Sequence, residues 1–495
     1  MSAVAMQHKA LKQWPVLAQD TVPLALWSAQ EIASATGGKA SGDFLVSGVE
    51  MDSRDVRFGD LFVALKGEAM DGHRFLDAAF VKGAAAAIVD RAVPYPHVLV
   101  KDTGAALEAL AAAARKRTDA TIVGVTGSVG KTGVKEAIFA ALERSSRGNT
   151  HRSVRSYNNH VGVPLSLARC PARSEYGVFE MGMNHAGEID ALTRQVRPNV
   201  AVITTIAPAH IENLGSEEAI ADAKAEIFAG LSENGTAVIP ADSPHFERLR
   251  GAAESSGANI VSFGAAAHAD VRLLDAIPRE HAGALVTCEY GEGTQRGRMC
   301  FTVAEPGEHW IMNALCVIAA VRAAGGDLGA AGLALAEMGG LKGRGERHQI
   351  AASGDGKALM IDESYNANPA SMRATLAQLG TTPAGRRIAV LGAMKELGDF
   401  TAQFHEQLAE PISQAKVDYV ILVGEEMGSL ARELGKGSGG SLGFDGGFAH
   451  CMNAGEAMEL LDDYGVIAGD AILVKGSNSV GLGKLVSRYT QLSDT

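Results

Sequence analysis

The chain of 495 residues contains only five cysteines, Cys170, Cys288, Cys300, Cys316 and Cys451, and no two of them form a CxxC pair. An odd, scattered set argues against a disulfide framework and against a zinc site, and it fits a reducing cytoplasm. No apolar run approaches the ~20 residues that a membrane-spanning helix needs. The opening MSAVAMQHKALKQWPVLAQD also lacks the apolar core of a signal peptide, so the chain is expected to stay where it is made. Positive charge is in deficit: 45 Lys and Arg stand against 57 Asp and Glu, a formal net charge of −12. The average surface would repel a nucleic-acid backbone, and an anionic ligand has to be held by local donors. No short-period repeat and no long low-complexity linker is present.

The length suggests about three domains. With 46% hydrophobic residues and 58 glycines, the composition suits an α/β enzyme with many tight strand-to-helix turns. Residues 1–120 hold the short strands GDLFVAL (59–65) and AAAIVD (85–90) and an Ala-rich helical stretch, which reads as a small α/β domain. From Thr121 to residue 342, TIVGVT, YGVFEMG, NVAVITTIAPAH and GTAVIPADS are apolar runs ending in polar residues, the pattern of a buried parallel sheet. A second such series over 343–495 predicts a doubly wound, Rossmann-like domain, with Gly343-Arg344-Gly345 as a candidate hinge and GKGSGGSLG (435–443) as a flexible point.

GVTGSVGKTGVKEAI (124–138) is the most informative stretch. A strand delivers the chain to a loop whose glycines let backbone N–H groups approach a phosphate, with a helix N-terminus behind them. Lys131 would reach the β- and γ-phosphates of ATP and Thr132 would offer a hydroxyl to Mg²⁺. Val134, Ala137, Ile138, Ala141 and Leu142 recur at helical spacing and give that helix a face to bury. The strict Walker pattern wants a glycine at position 125, where Val125 stands. The ends of the next strands carry Glu180 and His210, on the sheet edge where ligands bind, and with Thr132 they could hold magnesium between the nucleotide and a second substrate.

TGSVGKT, YNNHVGVPLSL (157–167), EMGMNHAGEI, APAHIENLGS, KAEIF (224–228) and DESYNANPASM occur in the order and spacing of the Mur ligases, which the chain resembles over nearly its whole length. The resemblance implies an ATP- and Mg²⁺-dependent, ADP-forming amide ligase acting through an acyl phosphate. Its nearest likeness within the family is to members that join D-alanyl-D-alanine to UDP-N-acetylmuramoyl-tripeptide, and a monomer is expected. Carried over by motif, Gly127, Ser128, Gly130, Lys131, Thr132, Asn313 and Arg344 would bind ATP. Thr132, Glu180, His210 and Lys224 would bind metal, with Lys131, Lys224 and His210 counted as catalytic. Ser53, Arg54, Asn158 and Asn159 would bind the UDP-linked substrate, and residues 1–120 would be its domain. Asp362, Asn366, Asn368, Lys475 and Ser477 would bind the dipeptide.

Lys224 stands in a stretch with an apolar stripe. The segment after Ser216 should be helical, and Ile220, Ile227, Phe228 and Leu231 share the lysine's stripe, so its amine points inward and loses basicity. A neutral amine can capture CO₂, and family members carry a modified lysine at the matching place. Some positions depart from the family pattern: GMN stands for GAN, DES for DDS, and Arg347 competes with Arg344 for the ATP contact. Among the relatives that add the third peptide residue, the diaminopimelate-specific members carry an Asp-Asn-Pro-Arg stretch, absent here, and folylpolyglutamate synthases begin close to their P-loop. A P-loop switch that makes no amide bond is the alternative from another class.

Overall fold

The computed structural model describes residues 25–67, 70–279, 283–291, 296–354, 356–436 and 446–491. Residues 1–20, to which no role is assigned, lie outside the described residues, as do positions 437–443 of the Gly/Ser stretch. The chain forms two compact units, Met1–Ala113 and Ala114–Thr495.

The first unit is built on a five-stranded sheet in the order Lys39–Ala40, His97–Leu99, Ala86–Val89, Asp60–Val63, Gly48–Glu50. All pairs are parallel except the first. Ala86–Val89 is buried at every position, which is why it reads as a continuous apolar run. The helix Ala29–Thr36 starts at a capping box, with Ser28 and Glu31 bonding each other's backbone N–H, and ends on Gly37 at φ +66°.

The second unit contains two sheets. The larger has nine strands in the order Gly297–Val303, Ala284–Tyr290, Val271–Pro278, Asn259–Gly264, Thr236–Pro240, Val200–Ile203, Thr121–Thr126, Tyr176–Glu180, Thr150–Arg152. The run from Val271 to Thr150 in that order is parallel, and the last three strands in sequence form an antiparallel meander. Behind the sheet, the helix Lys131–Ser145 and the helix Glu308–Ala323 share one core. Val134, Ala137, Ile138, Ala141 and Leu142 are all fully buried, so the face read from the sequence is the face that packs.

The smaller sheet has six strands in the order Glu346–Ala351, Lys357–Glu363, Asp470–Lys475, Arg386–Gly392, Tyr419–Val423, Gly447–Cys451. Only its first pair is antiparallel. Glu363 and Lys475 are register partners at the carboxyl ends of neighbouring strands. No helix among the described residues is long and apolar enough to cross a membrane.

Candidate active site

A cavity of about 690 Å³ is lined by loops of both sheets of the second unit: Lys131, Glu180 and His210 from the larger, Arg344, Tyr365 and Lys475 from the smaller. The phosphate end begins where the strand Thr121–Thr126 stops. Gly127 has φ +144°, and a Cβ there would lie 2.0 Å from Thr204 Oγ1. Gly130 has φ +86°, and a Cβ would lie 2.8 Å from Asn313 Oδ1. Neither position accepts a side chain. Val125 is a fully buried strand residue paired with Glu180 and Val202, so the loop begins after it and the glycine of the strict pattern has no turn to make. Ser128 Oγ donates to Ala207 O at 2.8 Å and accepts from Ala207 N at 3.0 Å, tying the loop to the next strand's exit.

Lys131 Nζ donates to Gly127 O at 2.7 Å. Burial lowers its pKa; Glu180 opposes that shift and Arg344 adds to it. Glu180 is fully buried, and its carboxylate accepts from Thr132 Oγ1 at 2.9 Å and from Asn158 Nδ2 at 2.8 Å. Both hydrogen-bond donors are neutral, and each carboxylate oxygen keeps a free lone pair. With a hydroxyl beside it and an imidazole on the same cavity, this oxygen-rich set fits a hard divalent cation such as Mg²⁺. His210 heads the short helix Ile211–Leu214 at φ +60°, and its Nδ1 is in ion-pair contact with Glu396.

Lys224 lies on the helix Glu217–Ala225, capped by Ser216, whose Oγ accepts from Ala219 N at 3.2 Å. It is 1% exposed, and burial, aided by the charge of Lys131, holds its pKa well below the usual lysine range. Ile220, Ile227 and Phe228 are buried as the stripe requires, whereas Leu231, beyond the end of the helix, is only half-buried.

Asn158, Asn159 and Asn313 line the cavity. Asn159 Oδ1 also accepts from Gly162 N at 2.9 Å, at the start of the helix Gly162–Ala168. Arg344 lines the cavity with its guanidinium 4.3 Å from the Tyr365 ring centroid, whereas Arg347 is not among the lining residues and faces Glu305.

The residues assigned to the dipeptide divide. Asn366, Asn368 and Lys475 line the cavity. Lys475 Nζ bonds Glu363 at 3.2 Å and Asn366 O at 3.1 Å, and Asn368 caps the helix Pro369–Thr381 through Ser371. Asp362 and Ser477 are buried away from it. Asp362 accepts from Gly343 N and Ser364 N, each at 3.0 Å, stapling the hinge, and Ser477 Oγ accepts from Lys395 N at 3.0 Å. Ser53 and Arg54 belong to the first unit, where the exposed Arg54 guanidinium forks onto Asp52.

The sequence reading passed over Ser156, His309, Trp310, Glu363 and Tyr365, all of which line the cavity. His309 had a usable signal, since it lies one helical turn before Asn313 and so on the same face. Ser156 had none, because its hydrogen-bond partner, the Tyr365 hydroxyl, comes from the other sheet.

Comparison with known proteins matches the chain to three models: the Mur ligase middle domain over residues 125–321, the Mur ligase glutamate ligase domain over 343–478, and the Mur ligase family catalytic domain over 45–119. The UDP-N-acetylmuramoyl-tripeptide--D-alanyl-D-alanine ligase of Bacillus subtilis is 37% identical over 388 residues, 77% of this chain and 80% of the relative. Its counterpart in Escherichia coli is 36% identical over 411 residues, 82% and 88% of the two chains. A MurF crystal structure from Acinetobacter baumannii aligns with a TM-score of 0.78 at 30% identity, covering 95% of this chain and 100% of that one. MurF from Thermotoga maritima in complex with ADP aligns at 0.70 and 27% identity, over 90% and 98%. By these matches and by its motifs, the chain belongs to the Mur ligase family.

Proposed function

We propose that this chain joins D-alanyl-D-alanine to UDP-N-acetylmuramoyl-tripeptide, converting ATP to ADP and phosphate, as a step of cytoplasmic peptidoglycan precursor synthesis. A carboxylate is a poor electrophile, so the terminal carboxylate of the tripeptide first attacks the γ-phosphorus of ATP and ADP leaves. The amine of the dipeptide then attacks the resulting acyl phosphate, and the tetrahedral intermediate loses a proton and expels phosphate to leave the amide.

In this reading Gly127, Ser128 and Gly130 shape the loop around the phosphates. Lys131 exchanges its contact with Gly127 O for the γ-phosphate, where its charge counts most as the phosphoryl group moves. Asn313 and Arg344 complete the nucleotide site. Mg²⁺, when bound, would neutralise the charge that gathers between nucleotide and acyl substrate, and Thr132, Glu180, His210 and a carbamylated Lys224 are the residues that would hold it. Asn158 and Asn159 would meet the tripeptide end of the UDP-linked substrate, and Ser53 and Arg54 its nucleotide end. Asn366, Asn368 and Lys475 would take the dipeptide, with the Lys475 ammonium facing its carboxylate, while Asp362 and Ser477 hold the loops that carry them. Residues 1–120, 121–342 and 343–495 are accordingly proposed as domains for the UDP substrate, ATP and the dipeptide, in a monomer. Exclusion of water by loops from two sheets protects the acyl phosphate from hydrolysis.

The observation that carries this reading is one cavity lined by Lys131 and by Glu180, whose carboxylate takes the Thr132 hydroxyl, together with Arg344 and Lys475 from the other sheet. The test is phosphate release measured with each substrate omitted in turn. Release is expected only when ATP, the UDP-tripeptide and the dipeptide are all present. Equal release without the dipeptide would make the protein a nucleotide switch, and release with a UDP-dipeptide and a single amino acid would move it to the preceding ligation.

A further inference from the structure

His210 and Glu396 belong to loops of different sheets, and both hold an uncommon backbone. His210 has φ +60° and Glu396 φ +64°, the left-handed region that non-glycine residues seldom occupy and that tends to persist at functional sites. They meet: Glu396 Oε2 is in ion-pair contact with His210 Nδ1, a buried ring nitrogen that no hydrogen bond satisfies in this arrangement. Beside them the backbones touch as well. Glu212 N donates to Glu396 O at 3.3 Å, and a Cβ on Gly398 would lie 3.0 Å from the Glu212 side chain.

The loop that carries Glu396 is fixed from behind. His405 is fully buried and bridges two backbone groups: Met394 N donates to its Nε2 at 3.0 Å, so the proton sits on Nδ1, which donates to Thr401 O at 2.7 Å. Lys395 N donates to Ser477 Oγ, the Lys395 ammonium pairs with Glu426, and Leu397 is 1% exposed. Met394, Lys395 and Leu397 are thus committed to one arrangement around Glu396, and the carboxylate they present falls on the imidazole of the other sheet.

We propose that Glu396 is the positioning residue of His210: its carboxylate holds the proton on Nδ1 and leaves Nε2 as the free ligand atom. Because Glu396 rides on the six-stranded sheet, the imidazole is set for a cation only when the two sheets are docked. A carboxylate behind a ligating histidine fixes tautomer and ring orientation, and its loss typically weakens metal binding 10- to 100-fold. Docking of the dipeptide-side sheet is therefore coupled to completion of the metal site on the ATP side. The inference rests on the reading of His210 as a metal ligand.

The test is Mn²⁺ titration of the full-length protein in the presence of ADP, followed by the EPR signal of free Mn²⁺, with thermal unfolding as a control. Glu396→Gly, which suits the left-handed backbone, is expected to weaken one Mn²⁺ site about 10-fold or more at an unchanged melting temperature, and His210→Ala to weaken the same site. Glu396→Gln is expected to fall between wild type and Glu396→Gly. If His210→Ala loses a site that Glu396→Gly keeps at full affinity, the positioning role is overturned while the metal reading stands. If His210→Ala changes nothing, both are overturned. A fall in melting temperature with every Mn²⁺ site weakened alike would make Glu396 a structural contact and overturn its assignment.

Discussion

Lys135 and Lys224 are helix lysines of the same unit, 0% and 1% exposed, yet their surroundings differ in kind. Lys135 Nζ donates to Ser153 O at 2.9 Å and Arg155 O at 2.6 Å and pairs with Glu136 at 2.8 Å, so its charge is answered on every side. Lys224 Nζ makes no hydrogen bond or ion pair among the described residues, and the charge that acts on it is that of another cation, Lys131. Burial alone does not mark a functional lysine. A buried ammonium with partners is a cross-link, here holding the stretch that leads to Ser156 and Asn158; one without partners is driven to its neutral, nucleophilic form.

The largest expected effect sharpens that contrast. Lys224→Ala should retain ADP binding and the wild-type melting temperature but lose ligation by about 100-fold or more, the scale of removing a group that stabilises the transition state. A small carboxylate supplied in solution should restore part of the rate by replacing the carbamate oxygens. Full activity of the variant in bicarbonate-depleted buffer would remove the distinction between the two lysines. Lys135→Met should act the other way, mainly on stability. Stranding the Ser153 and Arg155 carbonyls is expected to cost about 1–3 kcal/mol, seen as a lower melting temperature. Activity lost at unchanged stability would show that Lys135 had been misjudged.

Lys224 also shows what a sequence can reveal. Its stripe with Ile220, Ile227 and Phe228 follows from helical periodicity, as does the buried face of the P-loop helix, and both are local. The buried parallel strands were legible for the same reason: strands covered on both faces read as continuous apolar runs. The antiparallel strands between Val271 and Val303 were not, because Val271–Pro278 is buried only at Val271 and the other two mix buried with half-buried and exposed positions, so none yields such a run. Within the candidate site, legibility ended wherever a partner came from far along the chain. Asp362 and Ser477 look like ligand residues in a motif, and only the fold reveals that backbone N–H groups of Gly343 and Lys395 occupy them. The approach of Glu396 to His210 leaves no pattern in either segment. Val125 misleads in the opposite sense, since a rule about glycine spacing fails where the strand runs one turn position longer than the rule assumes.

His151 extends the comparison to a group that burial discharges, and it carries the smallest expected effect. Its ring lies 5.7 Å from that of Phe179, and its Nε2 is 2.8 Å from Ser166 O, so the proton sits on Nε2. Burial, with smaller contributions from Arg169 and Arg152, lowers its pKa from 6.5 to about 4 against the opposing pull of that hydrogen bond. Between those values the unfolded chain binds a proton that the folded chain refuses, so folding stability from this site is complete above about pH 6.5 and falls as the pH drops toward about 4. The wild-type melting temperature should therefore decline through this range more steeply than that of His151→Gln, which keeps a donor for Ser166 O but cannot titrate. Parallel curves for the two proteins would place the acid sensitivity elsewhere and leave His151 as an ordinary packed ring.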